Sequence, residues 1–420
     1  MTAAQPGSIA PTLHHRLRRM TGRDPLQPHR AATPLELLFD LTFVVAFGQA
    51  ADQLAHYVAE GHLLVGLSGF GFAMLAVIWA WINFSWFASA YDTDDWVFRL
   101  LTMVQMVGVL VVALGIPPLF VSIDEGAPLD NGVILAGYVV MRIAIVAQWL
   151  RAAAQDPRRR RVNLAYAVVI FVAQTAWVAF YFLRLESPWA FVPVLVVAIV
   201  LDFGGPVVMT DRRFGGTPWN ADHIAERYGL LVIIALGESI FGTIASVSAI
   251  VQEEAWSTEA VLIVVAGTGL TFGMWWSYFI LPSATVLAVR RERATVWNYS
   301  HIVVFSSIAA TGAGLHVAAS VIEHHAVVGE VAAIYAVVVP VSVFLLAVFA
   351  LYSYLVRAVD SFHFALVAGV LATLVASVLL VVSGVSIGVG LLVVMAAPIV
   401  VVVGYELLGY RHEAEVLARL

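Results

Sequence analysis

Glu36 and Asp40 stand four residues apart in TPLELLFDLTFVVAFGQAADQ (33–53), a stretch otherwise rich in aliphatic and aromatic residues. On a helix that spacing stacks both carboxylates on one face. A charged side chain at the centre of a membrane helix costs about 2.5–3.5 kcal/mol, so acids that enter an apolar layer point to ion pairs, proton relays or ion sites. The two acids differ in their local context. Thr33 as N-cap, Pro34 at the first helical position and Glu36 at the third form a capping box, which accounts for Glu36 as a helix-start residue. Asp40, one turn further in, is the stronger candidate for a polar centre.

Other polar residues lie in equally apolar surroundings. Glu238 and Arg142 each lie about 15 Å from the end of their span at 1.5 Å per residue, near the midplane, and are expected to pair. Asp202 precedes Phe203-Gly204-Gly205-Pro206. That run is expected to break the helix and free carbonyls beside the acid, although a simple proline kink capped by Asp202 is the plainer alternative. Gln49 and His301 complete the candidate substrate or ion path of Asp40, Arg142, Asp202, Glu238, Gln49 and His301. A histidine within a membrane helix can carry protons or bind a metal.

A second candidate set lies at one membrane face: Asp92, Asp94, Asp95 and Arg99 in YDTDDWVFRL (91–100), with Glu226 and Arg227. It could bind a phosphorylated headgroup or a divalent ion. The three aspartates resemble part of a calcium loop but lack its glycine and terminal glutamate. Capping of the following helix, with an Arg99 pair, is the simpler account. No nucleotide-binding, nucleophile-elbow or HExxH motif is present, so no cofactor is expected, and a non-enzymatic role is favoured over an enzymatic one.

The elements that must hold these residues follow from composition. The chain has 420 residues, 61% hydrophobic and 12% charged, with a formal net charge of −6 and a mean hydropathy of +0.91. Soluble domains carry about twice that charged fraction. Apolar runs of about 20 residues recur, continuous rather than alternating, which indicates membrane-spanning helices and excludes a barrel. Nucleic acid is not an expected partner; the lipid bilayer is, with a small solute, proton or cation as cargo. Cysteine is absent and every basic side chain except histidine is arginine, which excludes disulfides and thiolate chemistry.

About twelve spans are expected, the sixth near 189–209. Arginines gather in alternate loops (Arg158–Arg161, Arg290–Arg293, Arg357), while Asp124, Glu125, Asp130, Glu253 and Glu323 fall in the others. This is the positive-inside pattern for an even number of spans with both termini cytoplasmic. LTFVVAFGQ (41–49) is similar to LLVIIALGE (230–238), each in the first span of a six-span half. The expected architecture is therefore an all-α polytopic membrane protein. Its parts are a basic N-terminal tail (1–32), two six-helix halves (33–210 and 211–409) and a short C-terminal tail (410–420).

Three segments together resemble the bacterial low temperature requirement A (LtrA) family: ELLFDLTFVVAFGQ (36–49), YDTDDWVFRLLTMVQMVGV (91–109) and AERYGLLVIIALGES (225–239). Leu38 stands where that family more often has a second phenylalanine. The resemblance implies a bacterial multi-pass protein of the inner membrane. It marks Glu36, Asp40, Asp92, Asp94, Asp95, Arg99, Glu226 and Glu238 as motif positions and implies no substrate. Three roles follow from the residues: a secondary transporter or ion-translocating protein, a membrane scaffold or sensor with structural ion pairs, and an intramembrane lipid-headgroup enzyme, in that order.

Overall fold

The structure is a computed structural model that describes residues 17–27, 30–183, 188–209, 215–254, 258–357 and 361–418; the Glu238 side chain falls outside the described residues, as do Arg184, Arg212 and Arg213. These residues form helices and no strands. The first six are α1 (Pro34–Ala59), α2 (Leu63–Tyr91), α3 (Trp96–Asp124), α4 (Gly132–Gln155), α5 (Arg160–Leu183) and α6 (Pro188–Met209). The remainder are α7 (Ala221–Glu254), α8 (Thr258–Phe279), α9 (Ser283–Val289), α10 (Ala294–Ile322), α11 (Glu330–Val356), α12 (Ser361–Val382), α13 (Ile387–Gly404) and α14 (Tyr410–Leu417). Helices satisfy every backbone polar group internally, which is what hydrocarbon demands of a spanning segment.

Eleven of the described helical segments are long and apolar enough to cross a membrane, and a shorter apolar stretch, Val192–Val208, lies within α6. The expected count was twelve; α6 is the helix that makes the difference. The helix is also continuous where a break was expected, running through Phe203-Gly204-Gly205-Pro206 to Met209. Pro206 sits in the last turn, where it removes one backbone donor close to the end of the hydrogen-bond ladder. Gly205 instead lets the backbone of α6 approach Val169 of α5.

Helices α3 to α6 pack in sequence, α8 and α11 to α13 form a second group, and α10 touches α1, α2, α7 and α11. Helix α1 also packs on α7. Helices α1 and α7 thus lie side by side. The turn between α12 and α13 contains Gly384 at φ +91°, a left-handed conformation that glycine adopts without a Cβ penalty.

Candidate functional site: two buried charge centres on either side of α2

The first centre joins α1 to α7. Asp40 accepts hydrogen bonds from Trp81 Nε1 at 2.6 Å and from Arg227 Nε at 3.2 Å, and a further one from Arg227 Nη2. Glu36 keeps its capping role, since Thr33 N–H donates to its Oε2 at 2.8 Å. The same carboxylate reaches inward as well. Arg227 Nη1 stands 3.0 Å from Oε1, an ion-pair contact, and His223 Nε2 lies 3.2 Å from Oε2. Glu36, Asp40, His223 and Arg227 are all fully buried.

Charge accounting explains why these four groups belong together. Two carboxylates face one guanidinium, so neutrality requires one more positive charge or one bound proton. A buried uncompensated charge costs several kcal/mol. His223 is the ionisable group next to the acids: its Nε2 faces Glu36, and its buried Nδ1 has no partner among the described residues. Toward the α1 N-terminus, Arg30, Asp92 and Arg23 add two positive charges and one negative, with Arg23 3.9 Å from Asp92, and Arg30 donates to Ala88 O at 2.8 Å and to Ser89 O. Burial lowers the Arg30 guanidinium to about 10.

The second centre lies among α2, α4, α5 and α6. Arg142 Nη2 donates to both oxygens of Asp202, at 2.9 and 3.2 Å. Trp79 Nε1 donates to Oδ1 at 2.9 Å and Trp177 Nε1 to Oδ2 at 3.2 Å. Arg142 also stands over the Tyr138 ring, 5.3 Å from its centroid. Arg142 is bound by Asp202, because α4 and α6 flank α5; the expected Arg142–Glu238 pair involves a side chain, Glu238, that lies outside the described residues.

Trp79 and Trp81 are two residues apart, so on a helix they point to nearly opposite sides. Helix α2 therefore stands between the centres and donates one indole N–H to each. His301 lies in an adjoining aromatic group: Tyr228 is 4.7 Å away ring to ring, Tyr278 OH is 2.9 Å from Nε2, and Nδ1 meets Trp297 O at 2.7 Å. Gln49 is half-buried on α1 and joins neither network.

The membrane-face set is divided among separate tasks. Asp94 binds Arg99 through two 2.8 Å hydrogen bonds. Asp95 caps α3 by accepting from Phe98 N–H at 3.0 Å and also binds Arg151. Burial pushes the Asp95 carboxyl up, but the Arg151, Phe98 and Arg18 hydrogen bonds outweigh it and hold it at about 2. Asp92 is buried, with Arg23 at 3.9 Å. Glu226 is exposed, whereas Arg227, the next residue, belongs to the first centre. Among the described residues no group of three or more His, Asp and Glu is placed to hold a metal ion.

His223, Trp79, Trp81, Trp177 and Arg30 are functional neighbours that sequence reasoning did not assign. One signal was available. His223 and Arg227 repeat the four-residue spacing of Glu36 and Asp40 at the start of the matching helix, so two basic groups on one face meet two acidic groups on another.

Comparison with known proteins places the chain in a family. Over 280 residues the chain is 29% identical to an uncharacterized protein of Rhizobium meliloti (strain 1021), an alignment covering 65% of this chain and 63% of that protein. The chain thus spans somewhat under two thirds of that relative's length. No solved structure matches. The family model for bacterial low temperature requirement A protein matches residues 31–400, which include every helix of both charge centres, and the chain belongs to the LtrA family.

Proposed function

We propose that this membrane protein is a secondary transporter or ion-translocating protein of the bacterial inner membrane, with twelve spans and both termini cytoplasmic. The observation that carries the reading is the concentration of ionisable groups in the first centre: two fully buried carboxylates share one arginine and a histidine whose Nδ1 has no partner among the described residues. Counting only the groups in direct contact with Glu36 and Asp40, such a centre reaches neutrality by holding one proton, and proton relays in membrane helices are built from such Asp, Glu and His groups. Its position between α1 and α7 supports the reading further, since transporter sites lie at interfaces between repeats. Arg142, Asp202 and Glu238 are the further candidates for the path.

The experiment is reconstitution into vesicles carrying a pH-sensitive dye, with imposed pH and potential gradients. The reading expects proton or solute movement that Asp40→Asn reduces at least tenfold. Vesicles that remain silent under every gradient would overturn it.

One observation favours a structural reading for the second centre alone. Asp202 already accepts four hydrogen bonds, from Trp79, Trp177 and twice from Arg142. A carboxylate so satisfied is an architectural brace, and buried pairs are often replaceable by apolar residues of similar volume. In the same vesicles, the combined Arg142→Met and Asp202→Leu variant then retains proton movement, whereas a proton path through Asp202 loses it.

A further inference from the structure

A cavity of about 80 Å³ runs between α2, α4, α5 and α6, from Asn131 at the start of α4 down to Asp202. Trp79, Tyr138, Trp177 and Phe203 supply aromatic walls. Gln174 also lines it, is 9% exposed, and neither its Oε1 nor its Nε2 has a hydrogen-bond partner among the described residues. A buried amide left unpaired costs roughly 1–3 kcal/mol, so an unused donor and acceptor side by side in an otherwise aromatic chamber call for an occupant.

Aromatic walls beside an aspartate would ordinarily indicate a cation site. The hydrogen bonding argues otherwise. Asp202 is neutralised by Arg142, and its lone pairs are taken by that guanidinium and two indoles. An incoming cation would find no free charge, and an anion would face the Asp202 carboxylate. What remains is a neutral carboxamide offering one N–H donor and one C=O acceptor in the same plane. We infer that this cavity binds a small neutral solute of the amide or urea class, which pairs with Gln174 through two antiparallel hydrogen bonds and lies against the tryptophan faces. At about 10–15 Å³ per water-sized group, the volume admits roughly five to eight such groups, the size of a short-chain amide. This deepens the transport reading by naming a solute class for the outer half of the first bundle, and it depends on that reading only for its physiological role.

Because binding needs no gradient, it is tested apart from transport. Saturation-transfer NMR on the full chain in detergent compares propionamide, propionate and propylammonium, which match in size and differ in charge. Saturable binding of propionamide, at least tenfold tighter than either ion, is expected. It should weaken at least tenfold in Gln174→Leu, whose shape is similar, and in Gln174→Glu, which keeps the acceptor and loses the amide N–H. Absence of saturable propionamide binding overturns the inference. So does a preference for propylammonium, and so does propionamide binding that both Gln174 variants leave unchanged. Failure of vesicle transport with intact propionamide binding would instead count only against the transport reading.

Discussion

Arg227 is the side chain on which the first centre depends most, because it is the cation in direct contact with both Glu36 and Asp40. Removing one partner of a buried pair leaves a charge with neither water nor counter-ion, at a cost of about 3–5 kcal/mol. Arg227→Met is therefore expected to lower the thermal midpoint of the detergent-solubilised protein strongly. Asp40→Asn should cost less, since Arg227 keeps Glu36 and Trp81 keeps an acceptor. Equal losses in the two variants would show that the two acids do not share Arg227 as described. Asp92, in the loop after α2, gives a pH-dependent counterpart. Burial, reinforced by the Glu36 charge, pushes its carboxyl up to about 6 against the opposing effects of Arg30, Arg23 and the Asp94 N–H. An acid with a raised folded-state pKa holds its proton more tightly when folded, so its contribution to stability increases as pH falls through 6 and decreases as pH rises. Asp92→Asn is thus expected to be more stable than the parent at pH 7.5, by about 1–3 kcal/mol. The difference should vanish by pH 4, a comparison that thermal unfolding at the two pH values makes directly. Much of this chemistry was legible in the residue types: Asp40 as a candidate polar centre, capping of α3 from the Asp92–Asp95 run and the Thr33–Glu36 capping box all follow from local spacing, whereas only the structure assigns the cap to Asp95 and the Arg99 pair to Asp94. Partner choice was not, because Glu226 and Arg227 are neighbours whose side chains take opposite environments, and only the packing of α7 against α1 decides which turns inward.

At the scale of elements, the helices meet through small residues as well as through charge. Hydrocarbon gives little drive for apolar faces to associate, so close backbone approach supplies much of the packing energy. Gly108 of α3 and Gly137 of α4 lie back to back: a Cβ on Gly137 would come within 2.6 Å of Gly108 O, and one on Gly108 within 2.7 Å of Gly137 O. Backbone cannot yield as a flexible side chain can, so overpacking here should cost about 1–3 kcal/mol. Gly137→Ala is expected to lower the melting midpoint, and Gly71→Ala, where a Cβ meets nothing within 4 Å, serves as the control. Equal shifts in the two variants would remove the argument. The second centre was harder to read than the first. Arg142 lies five residues beyond Gly137, about 140° round α4 from the face that α3 approaches closely, and Asp202 reaches it from α6 past α5. Depth along the chain could match Arg142 to an acid, but not identify which helix would bring that acid near. The aromatic richness of α2 was visible in the sequence, whereas the division of Trp79 and Trp81 between two aspartates depends on what packs on each side.

For the whole molecule, the first centre constrains how the chain crosses the membrane. Asp40 lies six residues after Pro34, the start of α1, and Arg227 lies six residues after Ala221, the start of α7. At 1.5 Å per residue both groups are about 9 Å inside their helices. For them to pair, α1 and α7 must begin at the same membrane face, so the chain crosses an even number of times between them. Five long apolar helices precede α7, and the proposed topology takes the shorter α6 as the sixth crossing. The packed N-terminal segment agrees: Arg23 N–H donates to Ala90 O at the end of α2, and Asn220 Nδ2, just before α7, donates to Pro25 O and Gln27 O. Such contacts place the ends of α2 and the beginnings of α1 and α7 on one side. In the proposed topology, with the arginine-rich loops inside, that side is the cytoplasmic one. The absence of cysteine makes the test direct, because single cysteines introduced at exposed loop positions are the sole thiols. A membrane-impermeant maleimide added to intact cells should label Ala127→Cys, between α3 and α4, and Val327→Cys, between α10 and α11. Arg158→Cys, before α5, and Asp222→Cys, in the first turn of α7, should react only in inverted vesicles. Labelling of Asp222→Cys from outside would mean that α6 does not cross, and the parallel entry of α1 and α7 would fall with it.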